Sequence, residues 1–313
     1  VGAGNYAKAV LLPALANLTN VRRVSLVTAT GPSASRTAER FGFERCGTDP
    51  EDAVNRDDVD LVFIATRHRL HAQQATAALR AGKAVWLEKP LGLTREEVRQ
   101  VCEAAGDSPL MVGYNRRFSS HARAIRETFE TRTEPMGIEY SVAAGTTPRN
   151  TWITDPEEGG GRIIGEVCHF IDLCTYLVQR EPVRVYAQAL GRDPETDDSI
   201  QALITYADLS TASISYLART NSQLAKERFV VSAGGKTAIC DNFKSTQILG
   251  GTGVKHLNQD KGQAMAIKEF VDALRNGRGS PFKPAELLST SEVTFAIIDS
   301  LRTNQTVRIG NSE

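Results

Sequence analysis

Over the first third of the chain, short apolar runs alternate with stretches in which apolar positions recur at helical spacing. Residues 24–28, 61–65, 84–88 and 110–114 read as strands, each an aliphatic run bounded by turn or helix signals. The stretches between them carry helix punctuation. Ser33 reads as the cap of a helix ending near Gly42, and Asp49 followed by Pro50 starts another. Residues 70–83 place Ala75, Ala78 and Leu79 on one face and stop at Gly82, while Thr94 and Glu97 form a capping box for a helix through Ala105. Strands alternating with helices predict a parallel sheet built from right-handed crossovers.

From about residue 118 the rhythm changes. Residues 123–131 are helical, and strand patterns then dominate from Gly137 onward. Residues 200–206 and 210–217 flank Ala207-Asp208-Leu209, and 229–232 and 237–240 flank Gly234-Gly235, so both pairs read as hairpins; 183–189 adds a further strand. Helical stretches at 159–178, 264–276 and 285–302 complete the reading. The 313 residues are long enough for two domains of typical size, roughly 150 residues each. The expected fold class is α/β, with a first domain over 1–117 and a second over 118–313 whose sheet is large, open and mainly antiparallel.

The chain opens on Gly2-Ala3-Gly4-Asn5-Tyr6-Ala7, a G-x-G-x-x-A run followed by an Ala-rich helical pattern and then a strand. Small residues there permit a tight turn and let a diphosphate approach backbone amides at a helix start, which is the dinucleotide-binding fingerprint. Pro13 should kink or weaken the helix that follows. A dinucleotide fold normally lays down a whole strand before this turn, whereas only Val1 precedes it here. The expectation is a first strand that is largely missing and a sequence taken from a longer, multidomain polypeptide. The acid that usually holds the adenosine ribose is absent from Val27-Thr28-Ala29-Thr30-Gly31. Thr30, Ser33, Ser35 and Arg36 offer hydroxyls and a cation in its place, a set that favours NADP over NAD.

Lys plus Arg and Asp plus Glu both number 37 and form no long run of like charge, which excludes a nucleic-acid or anionic-membrane footprint and leaves a small molecule as the partner. The longest apolar stretch, near 59–65, is far short of the roughly 20 residues that span a bilayer, so a soluble protein is expected. Five scattered cysteines without a CxxC pair fit neither a disulfide framework nor a zinc site, and point to a reducing cytoplasm. Cys168 and Cys174 read as apolar packing residues on a helix. No metal is expected.

Several landmarks together resemble the Gfo/Idh/MocA oxidoreductases, the family of glucose-fructose oxidoreductase and inositol dehydrogenase. They are Ile64-Ala65-Thr66, His71, Glu88-Lys89-Pro90, Arg117-Phe118, Gly159-Gly160-Gly161, the run Gly165 to Asp172, Asp241-Asn242-Phe243 and Ser300-Leu301-Arg302. The resemblance implies an N-terminal Rossmann domain, a C-terminal α/β domain, bound NAD or NADP, and a homodimer or homotetramer formed through the open sheet. With the fingerprint it gives a cofactor-binding set of Gly2, Gly4, Asn5, Tyr6, Ala7, Thr30, Ser33, Arg36, Ala65, Thr66, His71, Glu88 and Lys89. The expected activity is hydride transfer between nicotinamide and a hydroxyl-bearing carbon of a sugar, cyclitol or related polyol. Two other readings stand beside it: a glycosidase-like enzyme with transient redox of held NAD, and an NAD(P)-binding module without catalysis.

Lys89 follows a strand's C-terminal end, where open parallel sheets place ligands, and its ammonium can bond a substrate hydroxyl and favour alkoxide character. The resemblance gives it the same catalytic role. His169 is the expected general base, since imidazole titrates near neutrality. At regular helical spacing Glu166 shares its face, with Asp172 within reach. Family members carry an Asp four residues before the histidine, where this chain has Gly165; either Glu166, one position later, takes over that acid's task, the favoured reading, or the proton relay runs through Lys89 and His169 without a carboxylate. Substrate contacts are expected from Lys89, Arg117, Arg149, Trp152, His169 and Asp172, the tryptophan face suiting the C–H side of a sugar ring. Asn150 lies in the same polar loop.

Overall fold

The structure is a computed structural model that describes residues 1–148, 151–191, 198–256 and 258–310. In chain order, a π-helical turn Ala7–Leu11 runs into α1 (Leu12–Ala16), followed by β1 (Ser25–Val27), α2 (Gly31–Phe41), β2 (Arg45–Gly47), α3 (Pro50–Val54) and β3 (Leu61–Ile64). Next come α4 (His71–Arg80), β4 (Ala84–Leu87), α5 (Arg95–Ala105), β5 (Leu110–Val112), α6 (Ser120–Thr128) and β6 (Gly137–Ala143). A π turn Ile163–Val167 leads into α7 (Cys168–Val178), and then β7 (Pro182–Ala189), β8 (Ile200–Tyr206), β9 (Thr211–Leu217), β10 (Glu227–Ala233) and β11 (Lys236–Asp241) follow. The chain continues through β12 (Ser245–Leu249), β13 (Val254–Lys255), α8 (Gln263–Arg275), α9 (Pro284–Thr303) and β14 (Val307–Arg308).

These elements form two compact units, Val1–Gly113 with Gln263–Leu288, and Tyr114–Gly262 with Ser289–Glu313. Residues 263–288, which lie in the second half by sequence position, therefore cluster with the first. There Arg275 donates to the carbonyls of Thr19 (2.6 Å) and Asn20 (2.7 Å), and Phe270 packs on the buried Trp86 with ring centroids 6.1 Å apart.

In the first unit β1 pairs with β2, and β3, β4 and β5 pair in that order, all parallel. Val1 and Gly2 stitch the two groups together. The Val1 amine donates to Phe63 O (2.6 Å), Ala65 N to Val1 O (2.8 Å) and Gly2 N to Val27 O (2.8 Å). Helix ends follow the punctuation closely: Asp49 accepts from Glu51 N, Thr94 from Glu97 N, and Glu97 reaches back to Leu93 N. Ser33 does not cap α2. That helix begins earlier, at Gly31 with extended Thr30 as its N-cap, and Pro32 fits in its first turn, where a missing N–H leaves no intrahelical bond unmade. Pro13 likewise sits in the first turn of α1, and the helix before it opens to π register, with Leu12 N bonded to Ala7 O.

The second unit is one nine-stranded sheet, ordered β13-β12-β11-β10-β6-β9-β8-β7-β14. Every pairing is antiparallel except β6 with β9, which run parallel. One face, carrying Tyr140, Val142, Ile204, Tyr206, Ile214, Tyr216 and Phe229, packs against apolar side chains of α6, α7 and α9, among them Ile125, Phe170, Ile171, Cys174 and Ile297. The other face alternates to exposed Glu139, Ser141, Gln201 and Leu203, the period-two pattern of a sheet covered on one side. Cys168 and Cys174 are buried thiols outside any disulfide, and Cys174 packs in the apolar core.

Candidate functional site

In the first unit the site grows from the turn after Val1. Gly2 has φ +86, and a Cβ there would fall inside contact distance of the Ala65 carbonyl, so only glycine lets the chain pass this close to the end of β3. Gly4 differs: it is exposed, and a Cβ would meet nothing within 4 Å. Ala7 is buried under the helix. Tight turn, open approach and close helix packing are the three tasks that a dinucleotide's diphosphate requires of this motif, so these residues fit such a group. Asn5 and Tyr6, both exposed, begin the helix at that opening.

At the end of β1, Thr28 donates its hydroxyl to Thr30 O (2.9 Å). Thr30, Ser35 and Arg36 are exposed, Ser33 is half-buried, and Arg36 Nε donates to Pro32 O (3.2 Å). At the end of β3, half-buried Ala65 and Thr66 adjoin the glycine turn, and Thr66 donates to Gln74 (2.8 Å). His71 is wholly buried with Nδ1 2.7 Å from Pro90 O and Nε2 3.3 Å from Thr66 O. Burial pushes its pKa down to about 4, so the ring is neutral, and the shorter contact places its proton on Nδ1. His71 thus latches the loop after β4 to the loop after β3; both ring nitrogens face backbone carbonyls.

Glu88 follows β4 and is buried. Its Oε1 accepts from Trp86 Nε1 (3.2 Å), and Gly113 leaves it room, since a Cβ there would come within 2.8 Å of Oε2. Burial raises its pKa to about 7 against the lowering effects of Trp86 and Lys89. Lys89 is half-buried, and the Lys89–Pro90 peptide is cis.

In the second unit, Gly159 is buried against the backbone of Trp152 and Ile153, where a side chain would not fit. This closes the glycine run on the half-buried Trp152. Arg149 and Asn150 lie outside the described residues. Glu166 falls within the π turn and His169 on the first turn of α7, so one regular α-helical segment does not carry both. The Glu166 carboxylate meets the sheet: Tyr216 donates to Oε2 at 2.8 Å, with Lys226 Nζ at 3.8 Å and Arg162 Nη2 at 3.9 Å from the same oxygen. His169, half-buried on the first turn of α7, stands edge-on to Tyr114 with centroids 6.2 Å apart.

Arg117 and Asp172, expected as substrate contacts, are joined to each other. Arg117 donates to both Asp172 oxygens (3.1 and 2.6 Å), and the two side chains are 7% and 1% exposed. Fork geometry and burial make this a tie between the segment Asn115–Phe118 and α7, which carries His169. Arg162 and Tyr216 were not anticipated; only the buried alternation of β9 marks Tyr216 in the sequence.

Fold and glycine turn together define a Rossmann-type dinucleotide-binding unit in one chain with an α/β unit built on a large sheet. Residues 1–116 match the oxidoreductase family with an NAD-binding Rossmann fold, and residues 134–235 match the GFO/IDH/MocA C-terminal domain. The chain belongs to the Gfo/Idh/MocA oxidoreductase family. It is 30% identical over 193 residues to a 1,5-anhydro-D-fructose reductase of Ensifer adhaerens, covering 60% of this chain and 58% of that protein. It is 30% identical over 225 residues to an inositol 2-dehydrogenase of Rhizobium meliloti, covering 69% and 66%. The chain thus aligns with about three fifths to two thirds of these relatives' lengths. Levoglucosan dehydrogenase in complex with NADH superimposes with a TM-score of 0.85 at 22% identity, covering 99% of this chain and 97% of that one. An NAD binding oxidoreductase from Klebsiella pneumoniae gives 0.85 at 20% identity, covering 98% and 96%. At such identities these two likenesses are of fold. Among the described residues no helix is long and apolar enough to cross a membrane, and no His, Cys, Asp or Glu group is arranged to hold a metal ion.

Proposed function

We propose that the protein is an NAD(P)-dependent oxidoreductase that moves a hydride between nicotinamide and a hydroxyl-bearing carbon of a sugar, cyclitol or related polyol. The observation that carries this reading is the Gly2–Ala7 turn, with open space over Gly4, in a chain of this family. The relatives named above as inositol, levoglucosan and anhydrofructose enzymes support the substrate class.

Gly2, Gly4, Asn5, Tyr6 and Ala7 hold the diphosphate; Ala65, Thr66, Glu88 and Lys89 flank the rest of the cofactor, with His71 bracing their loops. The stretch 27–36 lacks a carboxylate and offers Thr30, Ser33, Ser35 and Arg36, which supports NADP over NAD. When bound, the nicotinamide supplies the hydride donor or acceptor. Lys89 hydrogen-bonds the substrate oxygen and stabilises the negative charge that grows there, and His169 takes or returns the hydroxyl proton. Glu166 supports that proton transfer electrostatically, and Trp152 borders the sugar. Arg117 and Asp172 act on the substrate only through α7. The exposed sheet face supports a homodimer or homotetramer, and five free cysteines support a reducing cytoplasm.

Absorbance at the reduced-nicotinamide band tests the reading with myo-inositol and levoglucosan as probes. Stoichiometric cofactor turnover is expected, with Lys89→Ala and His169→Ala each lowering kcat about a hundredfold or more while cofactor affinity stays within a few-fold. Product without net cofactor change would instead indicate transient redox, and binding without product a module that has lost catalysis.

A further inference from the structure

We infer that Tyr216 is a positioning residue for the reaction, fixing the Glu166 carboxylate through its hydroxyl; this rests on the proposed role of Glu166. Tyr216 stands in β9, paired with Ile200 of β8 and Val142 of β6, so its backbone is held from both sides. Its residue is fully buried, yet its hydroxyl reaches Glu166 Oε2 at 2.8 Å, and that carboxylate is 28% exposed. The ring also lies 6.1 Å from Phe170, the neighbour of His169.

Two cations complete the arrangement. The Arg162 guanidinium covers the Tyr216 ring at 5.1 Å and is itself held by Gly145 O (2.7 Å) and Asp198 (2.9 Å). Its Nη2 stays 3.9 Å from Glu166 Oε2, and Lys226 Nζ approaches that oxygen at 3.8 Å from the chain before β10. Three groups therefore converge on one carboxylate oxygen: a buried neutral donor, a sequestered guanidinium and an exposed ammonium. Burial resists loss of the Tyr216 proton, so the hydroxyl acts only as a donor. The rigid strand-borne donor fixes the carboxylate's rotation, a task that flexible Lys226 performs poorly. The carboxylate so fixed belongs to the residue next to Gly165, the position at which the family resemblance implies an Asp.

The test compares Tyr216→Phe, Glu166→Gln and the double variant as holoenzymes, with myo-inositol and levoglucosan as probes and reduced-nicotinamide absorbance as readout. Expected are a fall in kcat of about tenfold for Tyr216→Phe, with cofactor affinity unchanged, and a double variant no slower than Glu166→Gln. The acidic limb of kcat/KM should also move to higher pH in Tyr216→Phe, because the ionised carboxylate has lost a donor that favours it. Charged groups near it include Arg162, Lys226 and, behind Arg162, Asp198. If Glu166→Gln slows turnover but Tyr216→Phe leaves rate and pH profile as they were, the inference about Tyr216 is overturned and the role of Glu166 stands. If Glu166→Gln itself turns over normally, the role of Glu166 fails and the inference with it. A melting curve for each variant separates lost fold from lost turnover.

Discussion

Glu88 shows how one buried side chain couples the site to pH. Its carboxyl is buried and accepts from the Trp86 indole, and burial pushes its pKa up to about 7 from the ordinary 4.5. A carboxyl with a raised folded-state pKa favours folding while protonated. Its contribution is complete below about 4.5 and is lost as pH rises through about 7. The loss corresponds to about 3 kcal/mol, taken as an order of magnitude. Glu88→Gln keeps the shape and removes the titration. Urea unfolding of both proteins across pH 4.5 to 7.5 should show the variant gaining on the parent by that amount as pH rises; parallel stability curves would remove the burial argument.

At the scale of elements, the buried carboxylate of Glu227 joins four parts of the second unit. Arg116 of the segment Asn115–Phe118 donates to both its oxygens (2.7 and 2.9 Å), Tyr140 of β6 donates at 2.7 Å, and Lys261 donates at 2.6 Å to a strand residue of β10. The two cations hold its pKa well below the usual carboxylate range despite burial. Removing it would leave Arg116, 7% exposed, as an uncompensated buried charge. Glu227→Ala should therefore cost about 3–5 kcal/mol in denaturant unfolding, whereas a surface pair such as Arg99–Glu96 should cost under about 1 kcal/mol. Equal effects from both would show that burial does not govern these pairs.

Elements were also where the sequence was most legible. Strands β3, β4, β8 and β9 and helices α3 and α5 announce themselves by apolar runs, alternation and caps at Asp49 and Thr94. The strands that escaped notice, β2, β12, β13 and β14, are short, partly exposed and rich in polar residues, so periodicity had little to register. The π turn before α7 was illegible for a different reason. Helix width depends on which carbonyl each amide selects, and no side-chain pattern encodes that choice, so the π register around Glu166 was not readable. In the site, Gly2, Gly4 and Ala7 could be read because a turn dictates small residues. The Arg117–Asp172 pair and the Tyr216 donor could not, since both depend on segments 40 or more residues apart being brought together by the sheet and α7.

For the molecule as a whole, the account rests on a dinucleotide held at the turn between β1 and β3. Gly4 provides a direct probe, because a side chain there meets open space in the protein and so should disturb the ligand and not the fold. The decisive measurement is fluorescence titration with NADPH and with NADH of the parent protein and of Gly4→Val, beside a melting curve of each. The account predicts saturable binding of at least one nucleotide to the parent, weakened about tenfold or more in Gly4→Val at nearly unchanged melting temperature. A folded parent protein that binds neither nucleotide, or a Gly4→Val variant that binds as the parent does, would contradict it.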